Sequence, residues 1–494
     1  MNRKKYQKVS EYFKLDKSQW DLDFVDIFVD RDMPLFIDPW AIRSGQDSFS
    51  QDCRSDLHVF FTDLIQSVGT NQQRAFELLD SLHEPKETHL GFSSKSYKGR
   101  GVGKLNAQAM YDALIESEAV RTGLLTDLED TTLYIEHFGS DKVSDIVSNV
   151  IKRRLIEYTQ EQAMLNGIPT KKQTVTGVWN SESKEFLDQN NVELPRIENT
   201  GKLLLVPKGF VRKRVTINQD DFYRHGILEF EQARHLDARD SLCRTLKDGT
   251  LRPPTKKVLK EKIPLTKETV IRYVRENKNL LSDYKKKKGK EKFLYIPNKR
   301  IYDVSKNIAG SAIQHDIDKK ISELRQINPG KAQAYEYERL ILGILQDLLY
   351  PHLQSPKLGD SKADGRQVID ITFNNTSFKG FFADLAKRNV VCAQVFFECK
   401  NYSEDIKNPQ FDQLLGRFDY RTSTIGFIVC RTVDDEQKII EFCRDRAKQQ
   451  QRYIIVLSDE DVIQLLESKK GKENEYEIAL NSFFNKKLEE ILNF

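Results

Sequence analysis

The 494-residue sequence contains few cysteines and few histidines, and it has no long apolar run. Its six cysteines form no Cys-x-x-Cys pair and lie at no zinc-finger spacing from a histidine, which argues against a zinc site. No window approaches the roughly 20 apolar residues of a membrane-spanning helix, and the N-terminus leads into no apolar segment. We therefore expect no signal peptide, no membrane association and no disulfide framework, but a cytoplasmic protein with reduced thiols.

The eight histidines argue against other phosphodiesterase chemistries. None belongs to a His-x-Lys motif, which excludes a phospholipase D-type site, and only two fall in the last 195 residues, which argues against an HNH site. The His315-Asp316 pair lacks the further ligands that an HD-type hydrolase requires. The histidine pattern therefore predicts no catalytic site of these three kinds.

Charge bias is also weak, because 78 Lys and Arg oppose 74 Asp and Glu and leave a formal net charge of +4. Composition alone does not indicate nucleic-acid binding. The clearest local excess is the lysine run from Lys285 to Lys288. Like charges repel, so we expect a solvated loop near a domain boundary. The alternative is an arm in which Lys286, Lys287 and Lys288 contact nucleic-acid phosphates and release counterions.

A chain of this length predicts two or three domains. We expect an N-terminal α+β region over residues 1–200 that is larger than the catalytic domain and senses or regulates, a connecting region over 201–295 that ends in the lysine-rich loop, and a C-terminal domain over 296–494. The expected elements before the lysine run are strand-like pieces over 24–37, a helix over 141–164 capped by Ser140, a strand over 203–206, and helices over 222–246 and 264–281.

Two N-terminal patterns imitate ligand sites. The segment Gly99–Lys104 lacks both the first glycine and the final Ser or Thr of a phosphate-binding P-loop, so an ordinary glycine loop is the favoured interpretation. Six aspartates lie between Asp21 and Asp38. Their spacing is irregular, which predicts a solvated face rather than a metal cluster.

From residue 329 onward, helices and strands alternate. An apolar stripe at helical spacing predicts a helix ending at Tyr350, with Glu338 at the edge of the stripe. A β-branched strand over 367–373 carries Asp370, and the strand that ends at Lys400 carries Glu398. The elements expected after them are a helix opened by Asn408 and Pro409, a strand over 425–430, a helix over 435–448, a strand over 453–457 and a short helix over 460–466. This alternation predicts an α/β domain with a mixed sheet.

The acidic and basic residues at these strand ends suggest metal chemistry. Strand side chains alternate faces, so Glu398 and Lys400 share one face of their strand. Carboxylates on neighbouring strand ends can hold Mg²⁺ or Mn²⁺, which lowers the pKa of a bound water and neutralises charge on a phosphate. A lysine beside them can orient that water or stabilise the transition state.

The order of a helix with Glu338, a strand with Asp370, the strand "FFECKNY" with Glu398 and Lys400, and a helix with Gln413 resembles the PD-(D/E)XK nuclease superfamily. The resemblance covers about residues 330–470 and implies a restriction-endonuclease-like αβββαβ fold. It implies that Asp370 and Glu398 bind the metal, helped by Glu338 and the backbone carbonyl of Cys399. It also implies that Lys400 serves the attacking water, and that Gln413 and Arg417 face the site or the phosphate backbone. No proline precedes Asp370, and the family's first strand is not evident between residues 351 and 365.

The expectation is therefore a metal-dependent endonuclease that acts on DNA, with a role in bacterial restriction or phage defence by family analogy. The alternative is a catalytically inactive nucleic-acid-binding or scaffold protein with the same fold. A homo-oligomer would allow two sites to cut two strands, and the N-terminal region is the expected position for an activating partner or ligand.

Overall fold

The computed structural model describes residues 6–91, 104–198, 200–290, 295–310, 315–362 and 367–492. The chain divides into two compact units. The first unit consists of Met1–Val9, Ile27–Ala163 and Pro169–Ile296. The second unit consists of Ser10–Asp26, Met164–Ile168 and Pro297–Phe494. The second unit is therefore assembled from three separate stretches of the chain.

The second unit is built on a five-stranded mixed sheet with the strand order β5-β4-β3-β2-β1. Its strands are β1 (Leu353–Lys362), β2 (Gln367–Asn375), β3 (Gln394–Lys400), β4 (Ile425–Cys430) and β5 (Tyr453–Ser458). The β1–β2 and β2–β3 pairs are antiparallel, whereas β3–β4 and β4–β5 are parallel. The predicted mixed sheet in the C-terminal region is confirmed, and its first strand, which the sequence did not reveal, lies at residues 353–362.

Helices surround this sheet: α1 (Asn298–Ala309), α2 (Ile317–Gln326), α3 (Ala334–Leu349), α4 (Phe381–Asp384), α5 (Asn408–Leu415), α6 (Glu436–Gln450), α7 (Asp459–Ser468) and α8 (Glu473–Leu492). Every residue of β4 is buried, as expected for a parallel strand covered on both faces. Helix α3 buries its predicted apolar stripe, including Ile341, Leu345 and Leu348. Helix α5 begins at Asn408, so Lys407 rather than Asn408 occupies the N-cap position.

The first unit is mainly helical. Its strands form the pair Phe36–Ile37 with Val211–Arg212, the three-stranded sheet Thr170–Asn180, Glu185–Ile197 and Gly201–Lys202, and the pair Arg244–Thr245 with Leu251–Arg252. Its principal helices are Pro39–Ser44, Ser48–Ser67, Gln72–Asp80, Lys104–Glu116, Ser140–Val150, Lys152–Asn166, Leu228–Ala238, Lys256–Lys262, Lys267–Glu276 and Leu280–Gly289; the shorter ones are Val9–Tyr12, Glu118–Arg121, Thr131–Tyr134 and Gln219–Phe222, and Tyr223–Ile227 is a π-helix. Helices Val9–Tyr12 and Lys152–Asn166 each extend from this unit into residues of the second.

Several expectations for the first unit are wrong. The helix expected over 141–164 is two helices that meet at Ile151, and Gly139 rather than Ser140 holds the N-cap position. Residues 203–206 are buried but form no strand. The long hairpin of Thr170–Asn180 and Glu185–Ile197 was missed because most of its side chains are at least partly exposed and polar, so no apolar alternation marks it.

Three of the six aspartates between residues 21 and 38 depart from the predicted solvated face, whereas Asp30 is exposed. Asp23, Asp26 and Asp38 are buried and accept hydrogen bonds from backbone N–H groups. Asp26 accepts from the backbone of Ser10 at 2.9 Å, and Asp38 accepts from Trp40 at 3.1 Å. The Asp38 contact is local, whereas Asp26 and Asp23 accept from Ser10 and Ser355, which are distant in sequence. The segment Gly99–Lys104 lies outside the described residues, except that Lys104 begins a helix.

Candidate functional site

Asp370 and Glu398 lie at the end of the β2–β3 ladder. The last paired residues are Ile371 and Phe397, and one further step of the same register brings Asp370 opposite Glu398. Residues directly opposite one another on antiparallel strands share a face of the sheet. The two predicted carboxylates therefore lie on the same face, at the point where the two strands cease to pair.

Glu398 has no solvent exposure, and cations contact both of its carboxylate oxygens. The Nζ atom of Lys400 lies 2.6 Å from Oε1, and the guanidinium of Arg417 donates to Oε2. Lys400 also donates to Oε1 of Gln413 at 3.2 Å. A buried carboxylate requires such compensation, because charge removed from water is costly unless it is paired. Four predicted site residues thus form one network between β3 and the end of α5.

Asp370 adjoins this network and is half-buried. Its Oδ2 atom accepts a hydrogen bond of 2.8 Å from the backbone N–H of Cys399. Its Oδ1 atom accepts none from the residues that the structure describes, so this oxygen is available to a ligand. Burial raises the pKa of the Cys399 thiol well above its usual value, with the Asp370 charge as a further cause. The Cys399 thiol is therefore protonated, which favours the role predicted for its backbone over a role for its sulfur.

Glu338 lies on α3, is half-buried and forms no hydrogen bond or ion pair with any described residue. Burial raises the pKa of Glu338 to about 7, and the negative charge of Asp370 adds to that rise. Lys400 and Arg339 act in the opposite direction. Glu338 and Asp370 are therefore close enough to repel each other, and a cation between their carboxylates would relieve that repulsion.

The carboxylates are only partly arranged as metal ligands. Among the described residues, no group of three or more His, Cys, Asp or Glu side chains could hold a metal ion. Asp370 and Glu338 fit that role, since each has an oxygen without a hydrogen bond. Glu398 would have to exchange Lys400 or Arg417 for the ion before it could join them.

Sequence reasoning missed a second polar cluster at the C-terminal ends of the parallel strands. Arg431 follows β4, and its Nε atom lies 3.1 Å from Oδ2 of Asp459, the first residue of α7. The hydroxyl of Tyr337 donates to Oδ1 of Asp459 at 2.8 Å, and the guanidinium of Arg431 lies 5.2 Å from the Tyr337 ring. These contacts hold the turn of α3 that carries Glu338. A charged residue directly after a buried strand was the available signal.

The lysine run lies in the first unit. The prediction that it forms a loop is wrong, because it belongs to the helix Leu280–Gly289. Each predicted phosphate-contacting lysine meets a carboxylate of the same unit: Lys286 lies 3.3 Å from Asp283, Lys287 lies 2.6 Å from Glu229, and Lys288 lies 2.7 Å from Asp221. Lys286 remains largely exposed, whereas Lys288 is buried. These pairings leave Lys286 as the ammonium group most accessible to a polyanion.

Comparisons with known proteins give one family match. A family model described as Domain of unknown function (DUF8370) matches residues 14–218. No curated protein and no solved structure matches the chain. Every candidate site residue lies outside the matched stretch. In the described part of the chain, no helix combines the length and apolarity needed to cross a membrane.

Proposed function

We propose that the second unit is a metal-dependent nuclease with a restriction-endonuclease-like fold. The observation that carries the proposal is the register at the end of the β2–β3 ladder, which brings Asp370 opposite Glu398. Lys400 follows Glu398 by two residues and contacts it. Carboxylates on adjacent strand ends beside a lysine match the chemistry of phosphodiester hydrolysis.

The succession of elements supports the fold assignment. Helix α3 is followed by the antiparallel strands β1, β2 and β3, with the short helix α4 inserted between β2 and β3, then by helix α5 and the parallel strand β4. This is the αβββαβ order that the resemblance implies. The candidate carboxylates come from the first helix and from the second and third strands of that order.

The proposed cofactor is Mg²⁺ or Mn²⁺, because the available ligands are carboxylate and carbonyl oxygens. Asp370 and Glu338 would hold it with the carbonyl of Cys399, and Glu398 would contribute Oε2 after exchanging Arg417 for the ion. When bound, the metal lowers the pKa of a water molecule and neutralises negative charge on the phosphate.

The residues of the chain supply the remaining positioning. Glu398 and Gln413 hold the ammonium group of Lys400 beside the carboxylates, where it would contact a nucleophilic water or a phosphate oxygen. The water oxygen forms a new bond to phosphorus and releases one of its protons to solvent, while the bond to the leaving oxygen breaks and that oxygen takes up a proton from solvent. Arg417, once exchanged for the ion at Glu398, contributes positive charge beside the phosphate.

The test is cleavage of plasmid DNA and of labelled oligonucleotides by the full-length protein in Mg²⁺, in Mn²⁺ and in EDTA. We expect cleavage only with metal. Asp370→Asn and Lys400→Met should each lower its rate about 100-fold or more. The control is Glu404→Gln, because Glu404 is exposed and, among the residues that the structure describes, pairs only with Lys407. Equal rates for all variants, or no cleavage of any nucleic acid by the wild type, would contradict the proposal.

A second candidate function is non-catalytic nucleic-acid binding. The observation that favours it is the occupation of both Glu398 oxygens by Lys400 and Arg417. Metal-independent binding without cleavage in either metal would support this candidate. The defence role is tested by phage plating on cells that carry the wild type or Lys400→Met. Equal plating efficiency on the two would contradict that role.

A further inference from the structure

Two exposed tyrosines lie beside the candidate site. Tyr335 is 60% exposed and precedes Glu338 by three residues on α3. Tyr402 is 40% exposed and follows Lys400 by two residues. Most large aromatic side chains of the second unit are buried, so an exposed ring on each of the two segments that carry site residues indicates a contact surface.

The segments that bear the two tyrosines are hydrogen-bonded to each other. The backbone carbonyl of Asn401, which separates Lys400 from Tyr402, accepts from the N–H of Gly330 at 2.7 Å. The side-chain amide of Asn401 donates to the carbonyls of Asn328 and Gly330 at 3.0 and 2.8 Å. This turn leads directly into α3. Tyr335 and Tyr402 therefore arise from the two sides of one rigid junction.

Helix geometry brings Tyr335 next to the carboxylates. Residues three apart on a helix are neighbours on its surface, so Tyr335 adjoins Glu338. The charges of Asp370 and Lys400 act on Glu338, so these groups lie nearby. A ligand that covers the Tyr335 ring would consequently reach the candidate site.

The surface around Tyr335 also carries positive charge. The guanidinium of Arg339 donates to the hydroxyl of Tyr335 and lies 5.3 Å from its ring. Its other nitrogen donates to the carbonyl of Leu165 at 2.8 Å, and Arg339 forms no ion pair with a carboxylate in the described ranges. Lys331 is exposed at the preceding turn and forms no ion pair there either. Cations and aromatic rings side by side suit a ligand with both phosphates and planar bases.

We propose that Tyr335 and Tyr402 stack on unpaired bases, so that the site acts on single-stranded nucleic acid; this deepens the proposed nuclease and rests on it. In a duplex the base faces are stacked on one another and are inaccessible to a protein ring. A single strand exposes each face, and stacking on tyrosine requires no particular base. Lys331 and Arg339 contact the phosphates between the stacked bases.

The experiment measures binding separately from cleavage. Fluorescence anisotropy of the full-length protein in EDTA is recorded with labelled oligo(dT), oligo(U) and a DNA duplex of equal length. We expect a single strand to bind at least about 10-fold more tightly than the duplex. Tyr335→Ala and Tyr402→Ala should each weaken that binding about 5- to 100-fold, while the phenylalanine variants retain it. The two single-stranded probes distinguish DNA from RNA.

Tyr420→Ala is the matched control. Tyr420 is as exposed as Tyr335 but precedes β4, which runs parallel to β3 and so begins at the opposite end from Lys400. Tighter duplex binding, or alanine variants indistinguishable from Tyr420→Ala, would overturn the inference. If duplex cleavage then still required Asp370, the proposed nuclease would be retained without the stacking site. Tyrosine-dependent single-strand binding without cleavage in Mn²⁺ would retain the stacking site and remove the nuclease.

Discussion

The guanidinium of Arg417 donates to Oε2 of Glu398, a carboxylate with no solvent exposure. Without Arg417, Lys400 still contacts Oε1 but Oε2 is buried without a partner, at a cost of about 2 kcal/mol. We therefore expect Arg417→Met to lower the free energy of unfolding of the second unit by about that amount. Urea denaturation followed by circular dichroism measures the change.

The matched control is Arg421→Met, because Arg421 is almost fully exposed and only weakly paired. It should change the urea midpoint little. If both variants unfold at the wild-type midpoint, Lys400 alone compensates Glu398, and Arg417 is free to contact substrate.

A second buried charge in the second unit allows an independent stability test. Asp347 is fully buried, with Lys320 at 2.6 Å and Lys469 at 2.9 Å. Asp347→Asn would leave these ammonium groups without their shared anion, so we expect a loss of about 3–5 kcal/mol in unfolding free energy. Thermal unfolding monitored by calorimetry measures it. Asp384→Asn, at a more exposed carboxylate, should leave the transition unchanged.

Asp145 predicts a pH dependence of the first unit. Burial raises the pKa of Asp145 to about 8, and the charges of Asp141 and Glu84 add to that rise. Because the folded pKa exceeds the unfolded pKa of about 3.9, the folded state binds the extra proton between these values. The stability of the first unit therefore falls as pH rises from about 4 to about 8.

Asp145→Asn removes this titration. We expect the variant to be more stable than the wild type by about 2 kcal/mol above pH 8, and the gain to vanish near pH 4. Urea unfolding across this range tests the sign. Asp112→Asn, at an exposed helical position, should follow the wild type at every pH. A gain that is constant with pH would contradict the assignment.

The sheet of the second unit could be read from the sequence because its strands are short apolar runs with clear ends. The residues that begin β2, β4 and β5 were predicted correctly from residue type alone. The contact partners of Glu398 were harder to predict from the sequence. Its contact with Lys400 follows from strand alternation, whereas its contact with Arg417 depends on how the end of α5 packs against β3.

The lysine run illustrates the opposite outcome. Lysine favours helices, but a block of like charge is stable in one only when anions lie nearby. Those anions, Asp130 for Lys285, Glu229 for Lys287 and Asp221 for Lys288, are distant in sequence. The local sequence shows one partner alone, Asp283 three residues before Lys286, so repulsion within the run dominates any prediction from sequence.

The inclusion of Ser10–Asp26 in the second unit has a consequence during synthesis. Trp20 stacks on His315 with ring centroids 4.6 Å apart, and Asp21 lies 2.5 Å from the ammonium of Lys320. Residues 10–26 are synthesised long before residues 315–320, so Trp20 and Asp21 have no partners until the later segment has left the ribosome. A fragment that starts at Pro297 would lack Trp20 and Asp21, so it would leave exposed the faces of His315 and Lys320 that these two residues cover.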